Sequence, residues 1–137
     1  MTEGAQKIMK SVVICASRRF KAEVKKFAKE LEKLGVVVYA PHHHSGQNEW
    51  AKLSPDYQKF IAMGLTHDHL HKIRMADVVF VYNKGGYIGP SVSMEIGSAV
   101  ALGKPIYALE PDPQELCRHV LFREIVSSPK ELAKRLK

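Results

Sequence analysis

A glutamate that follows a glycine-rich segment is the feature of this sequence whose residue types most clearly suit chemistry. Gly85, Gly86 and Gly89 allow positive φ angles and a close approach of the backbone to a ligand. Glu95 follows them in the first turn of a predicted helix over residues 94–102. We therefore expect Glu95 to lie at the ligand-binding site of a small domain.

Two serines, Ser91 and Ser93, stand between the glycines and Glu95. At the start of a helix, backbone N–H groups and the helix dipole favour an anion or a polarised oxygen, and serine hydroxyls add hydrogen-bonding groups. The same pattern fits a purely structural arrangement, in which one serine caps the helix and Glu95 complements the dipole. The sequence alone leaves both interpretations open.

A second candidate group follows the first apolar run of the chain. Ser17 and Arg19 lie where that predicted strand, residues 11–15, turns into a helix. Arginine presents a planar fork of donors that matches phosphate or carboxylate, so this turn suits an anionic ligand. In the structural alternative, Ser17 caps the helix and the arginines are surface charge.

Three consecutive histidines, residues 42–44, follow the second predicted strand. Adjacent residues of an extended chain cannot all point at one ion, and no cysteine or second histidine pair lies at metal-ligand spacing. We therefore predict no metal site and no cofactor. One of the three, His43, is a candidate for lining the substrate site.

Asp68 and His69 lie near the end of a long predicted helix, residues 56–75. Either side chain is a candidate acid/base or sugar-binding partner for Glu95. Asp68 could instead pair with Lys72, four residues later on the helix surface. The sequence alone does not choose between these roles.

The elements that must position these residues alternate between strand and helix. Short apolar runs predict buried strands, and apolar residues spaced three and four apart predict helices. The predicted strands are residues 11–15, 36–40, 77–82 and 105–109, with a short fifth within 119–126. The predicted helices are residues 20–34, 56–75 with an irregularity near Gly64, 94–102, and a last one that Ser128 caps and Pro129 begins. This alternation predicts a parallel sheet with helices on both faces and ligands at the carboxyl ends of the strands.

Length and composition indicate one globular domain over residues 1–137, with residues 1–10 as a candidate disordered extension. Of the 137 residues, 45% are hydrophobic and 26% are charged. No apolar run approaches the roughly 18 residues needed to cross a bilayer. The N-terminus also lacks the apolar stretch of a signal peptide. We therefore expect a cytoplasmic protein without a membrane partner.

The net charge of +7 fits an anionic ligand such as a nucleotide. Lysines and glutamates interleave along residues 20–34, which is typical of a solvated helix face, so nucleic acid is not the expected partner.

Cys15 is predicted to be a small buried hydrophobic residue. Neither a disulfide with Cys117 nor a catalytic cysteine is expected, because no candidate base lies at a recognisable position beside either thiol.

Five segments of the chain carry a likeness to a known family. They are ICASRRF at residues 14–20, ADVVFV at 76–81, GYIG at 86–89, MEIGSA at 94–99 and LGKPI at 102–106. Together they resemble the nucleoside 2-deoxyribosyltransferase superfamily, and especially its deoxynucleoside 5′-monophosphate N-hydrolases. The likeness extends over most of the chain, and the segment around Glu95 is fairly specific.

This resemblance implies a flavodoxin-like three-layer sandwich around a five-stranded parallel sheet, and an enzyme that cleaves an N-glycosidic bond. It makes Glu95 the nucleophile, which attacks the anomeric carbon and forms a covalent glycosyl-enzyme. It implies that Ser17 and Arg19 hold the sugar and 5′-phosphate. It also implies substrate binding by the glycine-rich segment, through Gly86, Tyr87, Gly89, Ser91 and Ser93. Homodimers or higher homo-oligomers are the usual assemblies of the family.

The sequence departs from the family's pattern at the acid/base position. The family's second active-site aspartate aligns with His69, and Asp68 is one residue away, which is about 100° of helix rotation.

Our hypothesis for the function is cleavage or transfer at the N-glycosidic bond of a nucleotide or nucleoside. The basic charge and Arg19 favour a (deoxy)nucleoside 5′-monophosphate. The alternative is a non-catalytic nucleotide-binding or sensing domain, which would bind without turnover.

Overall fold

The computed structural model describes residues 8–42 and 47–137, apart from the side chain of Gln47. Five strands pair in parallel in the order β2-β1-β3-β4-β5. They are β1 (Val12–Cys15), β2 (Val38–Tyr39), β3 (Val78–Val81), β4 (Ile106–Ala108) and β5 (Glu124–Ile125). The predicted five-stranded parallel sheet is confirmed, and its strand order is that of flavodoxin-like folds.

The helices of the described residues connect these strands. They are α1 (Lys21–Lys33), α2 (Gln47–Ala51), α3 (Pro55–Met75), α4 (Pro90–Ala101), α5 (Leu116–His119) and α6 (Pro129–Arg135). Two 3₁₀ helices, Arg18–Phe20 and Lys84–Gly86, follow β1 and β3. Helices α2 and α5 were not predicted, because helices this short show no apolar periodicity.

The two central strands, β1 and β3, are fully buried because helices cover both faces of the sheet. Side chains alternate between the faces along a strand. Val12 and Ile14 join the core under α1 and α6, whereas Val13 and Cys15 join the core under α3 and α4. Cys15, the last residue of β1, therefore faces the two helices that carry the candidate acid/base groups.

The helix that carries Glu95 begins earlier than predicted. Gly89 is the residue before the first turn and Pro90 is the first helical residue of α4, because the fixed φ of proline suits that position. The predicted start at Met94 is therefore wrong. Glu95 lies in the second turn, and neither serine caps the helix, so the capping interpretation of this segment is also wrong.

Helix α3 runs without interruption through Gly64, so the predicted irregularity there is also wrong. Ser54 caps this helix, and its hydroxyl accepts a hydrogen bond from the Tyr57 amide at 3.2 Å. The predicted cap of α6 is confirmed, since the Ser128 hydroxyl accepts from the Glu131 amide at 3.1 Å. The edge strands β2 and β5 each have two residues and are shorter than predicted.

Candidate functional site

A cleft of about 410 Å³ lies at the carboxyl ends of β1, β2 and β3. The chain places β2 on one side of β1 and β3 on the other, and ligands bind at such switch points in open α/β sheets. The loop after β1 contributes Ala16, Ser17 and Arg18, and the loop after β2 contributes Pro41 and His42. Residues of α2, α3 and α4 and of the loop after β3 form the remaining walls, so the cleft lies where a ligand was predicted.

Three chemically active side chains meet beside the floor of this cleft. Cys15 ends β1, His69 belongs to α3 and Glu95 belongs to α4. Nε2 of His69 lies 3.4 Å from Sγ of Cys15 and 3.4 Å from Oε1 of Glu95. Because a strand and two packed helices supply them, their separations are set by the core rather than by a loop.

The carboxyl group of Glu95 is largely removed from water, with a side chain that is 14% exposed. This desolvation raises the pKa of Glu95 from 4.5 to about 7, and a hydrogen bond from the Cys15 thiol acts in the opposite direction. A carboxyl group with a pKa near neutrality is common at catalytic sites, because it can hold or release a proton under ordinary conditions.

The Cys15 thiol is a hydrogen-bond donor in this arrangement rather than a nucleophile. Complete burial, followed by the neighbouring Glu95 carboxylate, raises the pKa of Cys15 well above its usual value. The thiol therefore stays protonated, and only the thiolate is reactive. The predicted burial of Cys15 is confirmed. The base beside it, His69, comes from α3 and had no recognisable position in the sequence.

The structure separates the two neighbouring acid/base candidates. Asp68 lies on the outer surface of α3, where Lys72 Nζ donates to its carboxylate at 2.9 Å, and this hydrogen bond lowers the pKa of Asp68. Its side chain is 44% exposed and does not line the cleft. His69 lines the cleft and is buried. Of this pair, His69 is therefore the residue that shares the site with Glu95.

The turn after β1 forms one rim of the cleft. The Ser17 hydroxyl accepts from the Arg19 amide at 3.3 Å, which confirms Ser17 as a helix cap. Arg18 lines the cleft, whereas the guanidinium of Arg19 stacks 3.5 Å above the ring of Tyr87. Tyr87 also lines the cleft, so Arg19 contacts a residue of the cleft wall but does not line the cleft itself.

The side chain of Tyr87 packs closely against Gly89. A Cβ atom added to Gly89 would lie 3.2 Å from the Tyr87 hydroxyl oxygen. Gly89, Pro90 and Ser91 line the cleft at the N-terminus of α4. Because the residue before the first turn has no side chain to cap the helix, the first backbone N–H groups and the positive end of the dipole are available to an anion in the cleft.

Ser93 and Gly86, both predicted to bind substrate, lie outside the cleft lining. The Ser93 hydroxyl donates to the Gly89 carbonyl at 3.1 Å and accepts from Arg118 Nη1 at 2.9 Å. Arg118 is itself held by the buried carboxylate of Asp112. This network ties the first turn of α4 to α5 and to the loop that contains Asp112, so Ser93 has a structural role there. His43 lies outside the described residues, although His42 lines the cleft.

Of one wall of the cleft, only His69 was predicted from the sequence. Residues from one face of α3 form it, at spacings of three and four: Ala62, Leu65, Thr66 and His69. That periodicity was present in the sequence, but it does not tell a face that lines a cleft from one that joins a core. Trp50 of α2 and Met94 of α4 also line the cleft.

The sequence profile of the family described as nucleoside 2-deoxyribosyltransferase matches residues 15–131. The chain belongs to this family. Membership confirms the resemblance drawn from the segment around Glu95, and it places the chain among enzymes of glycosyl transfer at nucleosides.

A comparison with curated protein sequences gives no significant match. No helix in the described part of this family member is long and apolar enough to cross a membrane.

Solved structures show the same fold. The chain is similar to a 2-deoxyribosyltransferase from Bacillus psychrosaccharolyticus, with 18% identity, a TM-score of 0.62 and coverage of 90% of each chain. It is also similar to a conserved protein from Enterococcus faecalis V583, with 18% identity, a TM-score of 0.52 and coverage of 93% of this chain and 97% of that one. At these identities the likeness establishes the flavodoxin-like fold of this deoxyribosyltransferase family member.

Proposed function

We propose that this protein cleaves or transfers the glycosyl group at the N-glycosidic bond of a nucleotide or nucleoside, with Glu95 as the nucleophile. The observation that carries the proposal is the Glu95 carboxyl group in the cleft, with Nε2 of His69 3.4 Å from its Oε1 atom. A carboxylate paired with a second proton-transfer group is the arrangement that retaining glycosyl chemistry needs.

In the proposed first step, a carboxylate oxygen of Glu95 attacks the anomeric carbon and the bond from that carbon to the base nitrogen breaks. The bonding electrons leave with the base, which takes up a proton. In the second step, water or an incoming base attacks the same carbon and releases Glu95. His69 is the group placed to give the first proton and to accept one from the incoming water or base.

A 5′-phosphate on the substrate is supported by the charges at the rim of the cleft. Arg18 and the N-terminus of α4, which no side chain caps, both line the cleft. Both favour an anion, the first through its fork of donors and the second through backbone N–H groups and the helix dipole. The hydroxyls of Ser17 and Ser91 lie on the same lining and add polar contacts.

The test is incubation with a panel of nucleosides and (deoxy)nucleoside 5′-monophosphates, in chelator, followed by chromatography for free base. We expect release from at least one compound, faster for monophosphates than for the matching nucleosides. A second base in the reaction separates transfer from hydrolysis, because transfer yields a new nucleoside. Glu95→Ala should abolish release, and Glu30→Ala, a change at an exposed residue of α1, should leave it unchanged.

The alternative, a nucleotide-binding or sensing domain, gives a different result in the same panel. Calorimetric binding of a monophosphate without release of base would contradict the enzymatic proposal and support the sensing domain. Absence of both binding and release would reject the two together.

A further inference from the structure

The atoms beside the cleft floor have the spacing of a metal site. In a tetrahedral zinc site, bonds of about 2.0–2.3 Å place neighbouring ligand atoms about 3.3–3.6 Å apart. The separations from His69 Nε2 to Cys15 Sγ and to Glu95 Oε1 are both 3.4 Å. All three potential ligand atoms lie within 4.8 Å of one another. The two separations from His69 match edges of a tetrahedron around a small ion, and the third ligand atom lies close enough to share that ion.

The donor types select zinc among the common divalent ions. A thiolate and an imidazole suit Zn²⁺, whereas Mg²⁺ and Ca²⁺ take oxygen ligands almost exclusively. Three protein ligands with a fourth position open to solvent or substrate are the arrangement of zinc sites that are not purely structural. Here the open position faces the cleft, because His69 and Glu95 line it.

The charges also balance. A thiolate and a carboxylate together carry two negative charges, so a divalent cation makes the buried cluster neutral. Binding displaces the thiol proton of Cys15 to solvent, since the thiolate is the form that ligates metals. The cluster needs little rearrangement, because β1, α3 and α4 already hold the three donors at these separations.

We propose that Cys15, His69 and Glu95 form a Zn²⁺ site that opens into the cleft. The sequence predicts no metal site, because no cysteine or second histidine pair lies at metal-ligand spacing from the three adjacent histidines. One consequence rests on the proposed function: a zinc ion bound to Glu95 occupies the carboxylate that attacks the sugar. Zinc should therefore inhibit the reaction rather than assist it.

The experiment uses Co²⁺ as a spectroscopic substitute for Zn²⁺ with the purified, chelator-treated protein. A charge-transfer absorption from thiolate to cobalt in the near ultraviolet reports a cysteine ligand, so it distinguishes this site from histidine-only binding at residues 42–44. We expect the absorption in wild-type protein and its loss when Zn²⁺ is added. Cys117→Ser is the matched control, because Cys117 is exposed and lies on α5; this variant should keep the absorption.

Variants of the cluster complete the test. Cys15→Ser should remove the absorption, and His69→Ala and Glu95→Gln should each weaken Zn²⁺ binding in calorimetry by at least about tenfold, since even outer-shell changes cost 10- to 100-fold. Asp68→Asn, at the exposed residue next to His69, should bind like wild type. Circular dichroism shows whether each variant is folded, and the calorimetry of His69→Ala and Glu95→Gln tests the site independently of Cys15→Ser.

The results that would overturn the proposal are equally specific. A wild-type protein without the thiolate absorption, or an absorption that persists in Cys15→Ser, would reject the site. Base release that is unchanged at saturating Zn²⁺ would reject the inhibitory role. Absence of base release in chelator would instead count against the proposed reaction, and the cobalt spectrum would still report on the metal site.

Discussion

Nε2 of His69 lies 3.4 Å from Oε1 of Glu95, although the two residues belong to different helices. Their proximity follows from the packing of α3 against α4. Side chains of both helices belong to the same buried cluster as side chains of β1 and β3. Asp68 is adjacent in sequence and points away from this contact, toward Lys72. Two consecutive residues of α3 therefore differ in role: His69 belongs to the site, and Asp68 belongs to an ion pair on the surface.

The first prediction uses this difference. His69→Ala should slow base release by about 10²- to 10⁴-fold, the usual contribution of a general acid/base group. Asp68→Ala should change it by less than about threefold, because an exposed ion pair contributes little. Steady-state rates of both variants in chelator provide the measurement. If Asp68→Ala is the slower variant, His69 is not the acid/base.

The central fold was predictable because its signals are local. The runs that become β1 and β3 are apolar and β-branched, and they are buried in the structure as that pattern requires. The start of α4 was not predicted, since Ser91 and Ser93 match common caps while the Gly89–Pro90 pair sets the actual boundary. The sequence contains two possible helix starts within five residues, the serines and the Gly89–Pro90 pair. The helix begins at Pro90 because the fixed φ of proline suits the first helical position.

The candidate site was only partly predictable, for a different physical reason. Glu95 and His69 stood out by residue type and by the family resemblance. Cys15 resembled any apolar residue at the end of a buried strand, and nothing in its local sequence reveals that His69 lies beside it. Contacts between residues that are distant along the chain depend on the packing of whole elements, which local patterns do not encode.

The second prediction concerns the stability cost of the buried carboxyl group. The pKa of Glu95 is about 7 in the folded protein, against 4.5 ordinarily. The folded protein therefore binds this proton more tightly than the unfolded chain. The contribution of Glu95 to stability is fully present below about pH 4.5 and is lost as the pH rises to about 7, by about 3 kcal/mol in total.

Glu95→Gln removes this titration. In chelator, the variant should be more stable than wild type by up to about 3 kcal/mol at pH 8, and the difference should largely disappear near pH 4.5. Urea unfolding at both pH values measures the free energies. Glu30→Gln on α1 is the control and should show no such pH-dependent gain. An equal effect of Glu95→Gln at both pH values would contradict the raised pKa.

The third prediction compares two neighbouring glycines that both have positive φ, Gly85 at 68° and Gly86 at 80°. A Cβ atom on Gly85 meets no atom within 4 Å, whereas one on Gly86 would lie 2.6 Å from Cδ of Pro113. Gly85→Ala should therefore lower the free energy of unfolding by only the backbone cost of about 1–2 kcal/mol. Gly86→Ala should cost about 1–3 kcal/mol more, because a proline ring cannot move aside easily.

Urea unfolding of the two variants at neutral pH provides the measurement. The tight contact would also explain why Gly86 belongs to the family-like segment without lining the cleft. Its role is to let the loop after β3 pack against the loop that contains Pro113. Equal costs for the two variants would show that this packing is loose.

The last prediction concerns assembly. Tyr57, Phe60 and Met63 form an exposed apolar stripe along the outer face of α3, and the side chain of Phe60 is 64% exposed. Their spacing of three places them side by side on the helix, and a contiguous apolar patch of this kind marks an interaction surface. We expect two copies of the chain to associate through this stripe. Their symmetry should be twofold, which is the commonest symmetry of homo-oligomers.

Sedimentation equilibrium should give a dimer for wild type and a monomer for Phe60→Glu, because the new charge would be buried without a partner. Lys26→Glu on α1, across the sheet, should remain dimeric, and a monomeric wild-type protein would show that the stripe has another role.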